Sequence, residues 1–379
     1  MYNYQKSNRY FAQVADDIQD ITSLELESLG ATGIKESYKG VYFNASQKDL
    51  YKINLYSSLI NRILAPLFSF ECTSEDILYK TAYDIEWEKL FSSDETFAIF
   101  ASTINSNIKH SKFAALKLKD ALVDRFRAKR GKRPNVDTRN PDIWFNLFIE
   151  NNHAVISLDT SGGSLHRRGY RKESVEAPMI ETLAASIVKL SGWNGTTELY
   201  DPFCGSGTLL CEAYLHATNT PPSFMRTKFG FEKLPDFDSK LWREIKNESE
   251  NNIKEIAPGL ISGSDVSKEA LKAAQINCDV IDKNKSIQLR QTNVFDIKEL
   301  NNKTIICNPP FGIRLKRHQD LSDFYKQFGD FLKQKCNGST AYVYFGDRSY
   351  IKKIGLKASM KRPLQNGGLD GRLAKFELY

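Results

Sequence analysis

Asn308-Pro309-Pro310-Phe311 closes the short apolar run Thr304-Ile305-Ile306-Cys307, and its residue types point most directly to chemistry. Neither proline can donate a ladder hydrogen bond, and the residue before each is pushed extended. The turn is therefore stiff. It sits at the carboxyl end of a strand, the edge where open α/β sheets bind ligands. The Asn308 side-chain oxygen and the Pro309 carbonyl are both acceptors. Two convergent acceptors can hold a planar –NH2 by its two hydrogens, draw its lone pair out of conjugation and aim it at an electrophile. Phe311 offers a face on which a flat base can stack. The competing reading is an ordinary Pro-Pro turn that only ends a strand.

A second constellation lies upstream in Asp201-Pro202-Phe203-Cys204-Gly205-Ser206-Gly207-Thr208. Gly205 and Gly207 let the backbone approach a ligand and open a helix at Thr208, whose free amides favour an anionic group. The third glycine of the dinucleotide fingerprint is replaced by Leu210, so G-x-G alone says little. The Asp201 carboxylate at a strand end suits a ligand with an ammonium close to its carboxylate. Asp265, ending the next strand, is placed to accept two ribose hydroxyls. It could instead cap the following helix, but Ser267 is better placed for that. Cys204 and Cys307 read as buried packing thiols. The histidines are scattered singly, which predicts no metal site.

Asn308-Pro309-Pro310-Phe311 resembles the N-P-P-[YF] signature of methyltransferases acting on exocyclic or amide nitrogens. Asp201 to Thr208 resembles their D-P-x-C-G-S-G-T cofactor loop. Leu165-His166-Arg167-Arg168-Gly169-Tyr170-Arg171 and the front half resemble the bacterial THUMP-domain methyltransferases of large-subunit ribosomal RNA that make N2-methylguanosine. The resemblance implies a Rossmann-like class I methyltransferase domain using S-adenosyl-L-methionine, preceded by ferredoxin-like and THUMP domains. It assigns the cofactor to Asp201, Phe203, Cys204, Gly205, Ser206, Gly207, Thr208, Asp265, Val266, Asn293 and Val294. Asn293 takes the adenine contact where the family more often has Asp; an amide oxygen still accepts that bond, with less electrostatic pull. Asn308, Pro309, Pro310 and Phe311 form the catalytic turn. The implied reaction is methyl transfer to guanosine N2 in 23S rRNA. N6-adenine methylation of RNA or DNA and glutamine methylation of a release factor are the other enzymatic readings. A non-catalytic RNA-binding assembly factor is a reading of a different class.

A chain of 379 residues is too long for one ordinary core. Six cysteines without C-x-x-C pairing predict reduced thiols and a cytoplasmic protein. No run of about 18 apolar residues predicts a membrane span. The net charge of +7 is concentrated: eleven basic residues and three acids between Lys109 and Arg139 give +8 there and leave the rest about neutral. Such a cluster fits a polyanion partner. Lys112, Lys129, Arg130, Lys132 and Arg133 are the predicted RNA contacts. Arg167 and Arg168 are read two ways, on RNA phosphates or clamping domains together through carboxylates.

The elements that must position these residues follow in order. Strands at 10–14, 33–36 and 41–44 with helices at 18–29 and 48–58 predict a ferredoxin-like unit over 1–65. A helix at 75–83 behind Ser74, a strand at 97–103, a long helix at 112–129 and a hairpin at 142–159 predict a THUMP unit over 66–160. Over 161–379 helices alternate with strands, predicting a mostly parallel doubly wound sheet closed by an antiparallel hairpin. The insertion 221–255, with Phe229-Gly230-Phe231-Glu232 and Trp242, is read as covering the cofactor or contacting the substrate.

Overall fold

The computed structural model of the chain describes residues 1–175, 178–310, 321–366 and 369–379. Its front half runs α1 (Asn3–Ser7), β1 (Arg9–Gln13), α2 (Gln19–Ser28), β2 (Thr32–Ser37), β3 (Gly40–Asn44), α3 (Gln47–Tyr56) and β4 (Arg62–Glu71). It continues with α4 (Glu75–Asp84), β5 (Thr96–Ile104), α5 (Ser111–Arg130), β6 (Asn135–Val136), β7 (Ile143–Glu150) and β8 (His153–Asp159). All eight strands form one sheet in the order β2-β3-β1-β4-β8-β7-β5-β6. Strand β4 is what the sequence reading lacked. Its start pairs with β1 and the rest pairs with β8. The boundary expected between 65 and 66 therefore falls inside a strand shared by both units. Pro66, which reads as a break, sits where the β4–β8 register shifts, the kind of place a sheet tolerates proline.

One face of this sheet is buried by helices. Tyr10, Ala12, Val41, Phe43, Ile63, Leu67, Phe145, Leu147 and Ile156 are all 3% exposed or less. The four-residue spacing of Leu118, Leu122 and Phe126 on α5 places all three in that core. Ser74 caps α4 as expected, its hydroxyl accepting from the Ile77 amide at 3.3 Å. Gly131 ends α5 in the left-handed region, at φ 66°.

The rear half runs α6 (Glu181–Ser191), β9 (Leu199–Asp201), α7 (Thr208–Ala217), α8 (Ser239–Asn251), β10 (Ile261–Asp265), α9 (Lys268–Ile281) and β11 (Gln288–Gln291). Then come β12 (Thr304–Cys307), α10 (Leu321–Lys335), β13 (Thr340–Phe345), β14 (Met360–Pro363) and β15 (Arg372–Glu377). The sheet order is β11-β10-β9-β12-β13-β15-β14. Strands β9 to β13 are parallel, and β15 and β14 add the antiparallel hairpin. The expected Gly367-Gly368 turn lies outside the described residues. The winding reverses between β9 and β12, which makes their carboxyl ends the ligand-binding crevice. Among the described residues no helix is long and apolar enough to cross a membrane.

The halves are buckled together by buried polar groups. Arg168 corrects an expectation: it is 1% exposed and cannot reach RNA phosphates. Its guanidinium meets Glu212 Oε1 on α7 at 3.4 Å, the Leu165 carbonyl at 2.9 Å and the Ser58 carbonyl in the front half. The clamp reading is the one the geometry supports. Tyr170 donates to the same Glu212 oxygen at 2.8 Å. Burial pushes the Glu212 carboxyl above its usual range, and Arg168 and Tyr170 pull it back. The insertion supplies a second buckle. Phe231 stacks on Tyr51 of α3 with ring centroids 4.4 Å apart and meets Trp242 at 5.0 Å. Its amide donates to the Thr160 carbonyl at 2.7 Å. Gly230 permits this close approach, because a Cβ there would stand 1.8 Å from the Asp159 carbonyl oxygen. These aromatic residues of the insertion thus join the halves.

Replacing Arg168 by Ala leaves the buried Glu212 carboxyl without its cationic partner and two carbonyls without their donor. Urea unfolding of Arg168→Ala should show a loss of about 3 kcal/mol. Arg168→Lys should recover only part of it, since one ammonium cannot span all three acceptors. A surface role for Arg168 would instead leave the unfolding midpoint unchanged.

Candidate active site

Four polar side chains stand at successive strand ends along the carboxyl edge of the rear sheet. Asn293 follows β11, Asp265 ends β10, Asp201 ends β9 and Asn308 follows β12. Three inter-strand steps span about 14 Å, enough for an extended nucleoside-sized ligand. The elements come from different parts of the chain and only the sheet order brings them together. The proline turn and the glycine loop are on adjacent strands, β12 and β9, paired through Ile305 and Tyr200.

The glycine loop is tied down by its acids. Asp201 is 1% exposed, and its Oδ1 accepts from the Phe203 amide at 2.9 Å. Burial pushes its carboxyl up to about 8; the Phe203 amide pulls it down and the nearby Asp265 pushes it further up. Asp265 Oδ2 accepts from the Gly205 amide at 2.9 Å, and its Oδ1 from the Ser267 amide at 2.9 Å. Ser267 caps α9, as its position suggested. Gly205 and Gly207 have φ of 53° and 81°, and Gly207 opens α7. Beneath the loop, a Cβ at Gly263 would stand 3.1 Å from Cys204 Cβ and 2.8 Å from Leu210 of α7, so the loop and the start of α7 sit directly on β10. Phe203 packs edge-on against Phe324 and Phe328 of α10 at 5.8 and 5.1 Å. Cys204 is buried and its thiol is pushed well up by burial, as a packing thiol's would be.

The other assigned residues differ in how open they are. Val266 is 65% exposed beside Asp265, whereas Val294 is buried. Asn293 is exposed, and its Oδ1 accepts from the Phe295 amide at 3.1 Å, capping a short helical turn. One lone pair of that oxygen is thus already occupied. The amide is fixed in orientation and points one remaining acceptor site outward.

Asn308 is distinctive. Its Oδ1 is a buried side-chain acceptor with no hydrogen-bond partner among the described residues. Such an atom costs about 1–3 kcal/mol unless something pairs with it. Pro309 is buried, and the Pro310 carbonyl accepts from the Tyr325 hydroxyl at 3.3 Å. Tyr325 is itself 0% exposed and stacks on Tyr350 at 4.8 Å. Phe311, the fourth member of the expected turn, lies outside the described residues.

Two positioning residues escaped the sequence reading. Tyr325 holds the proline turn from α10. Asn277, 1% exposed on α9, donates to the carbonyls of Ser206 and Glu173, both at 2.9 Å. Its Oδ1 accepts from the Lys172 and Glu173 amides at 2.7 and 3.0 Å. It therefore fastens the incoming linker to the glycine loop. Neither residue stands in a motif; each acts from a helix interior, where spacing carries no signal. Among the described residues no group of His, Cys, Asp and Glu is arranged to hold a metal.

The basic stretch is only partly free. Arg125 is spent on Glu88 at 3.1 Å, and Lys132 pairs with Asp94 on the surface. Lys112, Lys129, Arg130 and Arg133 are exposed and form no ion pair among the described residues. Three basic side chains in the last turn of α5 also suit the negative end of its dipole. Arg167 is exposed, unlike its neighbour Arg168.

Comparison with known proteins agrees with this architecture. Residues 9–64 match the RlmL ferredoxin-like domain, 72–159 the THUMP domain, and 168–375 the RMKL-like methyltransferase domain. A Synechocystis sp. protein provisionally named an RNA methyltransferase is 39% identical over 371 residues, covering 98% of this chain and 97% of that one. The ribosomal RNA large subunit methyltransferase K/L of Syntrophotalea carbinolica is 34% identical over 383 residues, covering 98% of this chain and 53% of that protein. The chain thus spans about half the length of this second relative. A crystal structure of a protein provisionally called a methyltransferase, complexed with SAH, superposes with a TM-score of 0.85 at 26% identity, over 98% of each chain. With its catalytic half matched over more than two hundred residues and its front units matched in the same order, the chain belongs to the RMKL-like methyltransferase family.

Proposed function

We propose that this protein is an S-adenosylmethionine-dependent RNA methyltransferase that modifies the exocyclic N2 of a guanosine in 23S rRNA. The observation that carries the chemistry is Asn308 Oδ1, a buried acceptor unpaired among the described residues and held at the strand edge beside the glycine loop. The RNA reading is supported by the THUMP match, by the exposed basic residues around the end of α5, and by the ribosomal RNA methyltransferase among the relatives.

The strand-end residues fit the cofactor by their hydrogen-bonding chemistry. The amide end of α7, at Ser206 and Thr208, suits a carboxylate, Asp201 an ammonium, Asp265 a ribose diol and Asn293 an amine; the Gly205 and Gly207 amides are spent within the loop, on Asp265 and on the Cys204 carbonyl. Bound there, S-adenosylmethionine supplies an electrophilic methyl on its sulfonium sulfur. Asn308 Oδ1 and the Pro309 carbonyl accept the two hydrogens of the substrate amine, which satisfies the orphaned acceptor and orients the nitrogen lone pair. Tyr325 keeps the turn from rotating by holding the Pro310 carbonyl. Phe311 is assigned the face on which the base stacks. The contribution of these residues is positioning and exclusion of water.

Asn308→Ala should lower methyl transfer by at least about a hundredfold, the scale of losing one aimed hydrogen-bonding group. Calorimetric cofactor affinity should change by less than about threefold. Normal turnover by this variant would remove the clamp from the mechanism. Nucleoside mass spectrometry of ribosomal RNA from cells lacking the protein should show a missing N2-methylguanosine; a missing N6-methyladenosine would instead reassign the base.

Reversing the charge of Lys129, Arg130, Lys132 and Arg133 should weaken RNA binding and flatten its dependence on salt by up to about four units of log–log slope. Filter binding across a salt series measures both, and an unchanged slope would place the RNA face elsewhere.

The raised carboxyl of Asp201 makes a pH prediction. With a value of about 8 it is mostly protonated in the free protein near neutral pH, and an ammonium ligand needs it ionised. Cofactor binding at about pH 7 should therefore release a proton, and affinity should rise toward about pH 8 and then level. Calorimetry in two buffers of different ionisation enthalpy detects the proton. No release would leave Asp201 as a brace for the loop alone. The same shift opposes folding as pH rises from about 4 to 8, because the unfolded chain gives up that proton first.

A further inference from the structure

The eight-stranded front sheet has helices on one face; the other carries partly exposed aromatic side chains. Register places Phe11 and Tyr42 on this open face, and likewise Phe100, Trp144 and Phe148. All five are partly exposed; the chain neighbours of Phe11, Tyr42, Trp144 and Phe148 are buried, while Ile99 and Ala101 beside Phe100 are themselves partly exposed. The rings come with arginines. Arg9 lies over Tyr42 at 4.9 Å, and Arg62 lies over Phe100 at 4.5 Å and over Trp144 at 4.8 Å.

The Arg62 corner is built rather than incidental. Asp159, fully buried beneath it, pairs with the Arg62 guanidinium and accepts from the Ser161 and Gly163 amides at 2.9 and 3.1 Å. This fixes the guanidinium over its two rings. Arg226 donates to the carbonyls of Ser161, Gly162, Gly163 and Ser164, with no carboxylate among its hydrogen-bond partners in the described residues. Exposed Arg167 follows three residues after Ser164 and forms no ion pair among the described residues. The acids Glu71 and Glu150 stand at the far end of the strands, and Asp142 at the near end is held by the Thr96 amide and hydroxyl. Flat rings and planar cations in one place match the π-faces of unpaired bases and the phosphates between them. An RNA duplex hides those faces, and an apolar protein partner would bury these charges without compensation.

We propose that the Arg62, Phe100 and Trp144 corner, with exposed Arg167 on the segment that leads out of it, is a stacking platform for a single-stranded segment of the RNA substrate. It lies where the front sheet hands over to the linker that is fastened to the glycine loop. The inference rests on the RNA reading above and adds to it a second contact surface, separate from the basic end of α5.

Tryptophan fluorescence tests it directly. Of the four tryptophans, Trp87, Trp193 and Trp242 are 0, 4 and 6% exposed, so Trp144 alone is available to a base. A single-stranded RNA of about twelve nucleotides, a typical site size, is titrated into the full chain, and the same strand is titrated annealed to its complement. The single strand should quench emission saturably and the duplex should not. Trp144→Phe should abolish the quench while anisotropy of labelled RNA shows binding within about threefold. Trp144→Ala with Phe100→Ala should weaken single-strand binding about tenfold or more, the scale of losing stacked bases. Arg167→Glu, an exposed change that spares the core, should weaken it as well. Single-strand binding without quenching, equal quenching by the duplex, or wild-type affinity in either the Trp144→Ala, Phe100→Ala double variant or Arg167→Glu would overturn the platform. In those cases binding still lost on reversing Lys129, Arg130, Lys132 and Arg133 would leave the RNA reading intact. No binding of either RNA form by the wild-type chain would instead count against the RNA reading itself.

Discussion

At the carboxyl end of β12 a buried carboxamide oxygen, Asn308 Oδ1, is without a partner among the described residues, and the surrounding structure holds it there. Folding ordinarily pairs such an atom or exposes it. Here Asn308 can do neither. Two prolines fix the backbone on one side and Tyr325 holds the following carbonyl on the other. The cost of that unsatisfied acceptor is small beside the stability of a domain, and it leaves the site ready for a donor.

The same principle runs through the glycine loop in a different form. Asp265 is occupied by two backbone amides, Asp201 by one, and Asn277 ties the loop to the linker. The loop's conformation is thus set by side chains from β9, β10 and α9 before any ligand arrives. Preorganisation of this kind keeps ordering costs out of the binding step. The clamp of Arg168 on Glu212 and the aromatic buckle around Phe231 extend the rigidity to the front half.

Much of this was legible in the sequence. Alternating helices and strands gave the doubly wound half, and the Asp201, Asp265 and Asn308 strand ends were found because each interrupts a regular pattern with a polar or proline residue. The limits of reading were physical. Strand β4 was hidden by Pro66, which local rules treat as a break but a shifted register accommodates. Arg168 and Arg167 look alike in sequence, and only tertiary packing makes one a buried clamp and the other a surface cation. Tyr325 and Asn277 act across long sequence separations from helix interiors, so no spacing announces them. The insertion was recognised as unusual, but its destination depends on what Tyr51 and Thr160 offer it.

Because β4 is hydrogen-bonded into both front units, those units cannot swing against each other without tearing a continuous sheet. Together with the clamps to the rear half, this turns the molecule into a gauge of fixed length. A strand of RNA held at the proposed front platform would reach the proposed catalytic corner after a set contour, which would make choice of target partly a matter of measured distance rather than of reading the base alone.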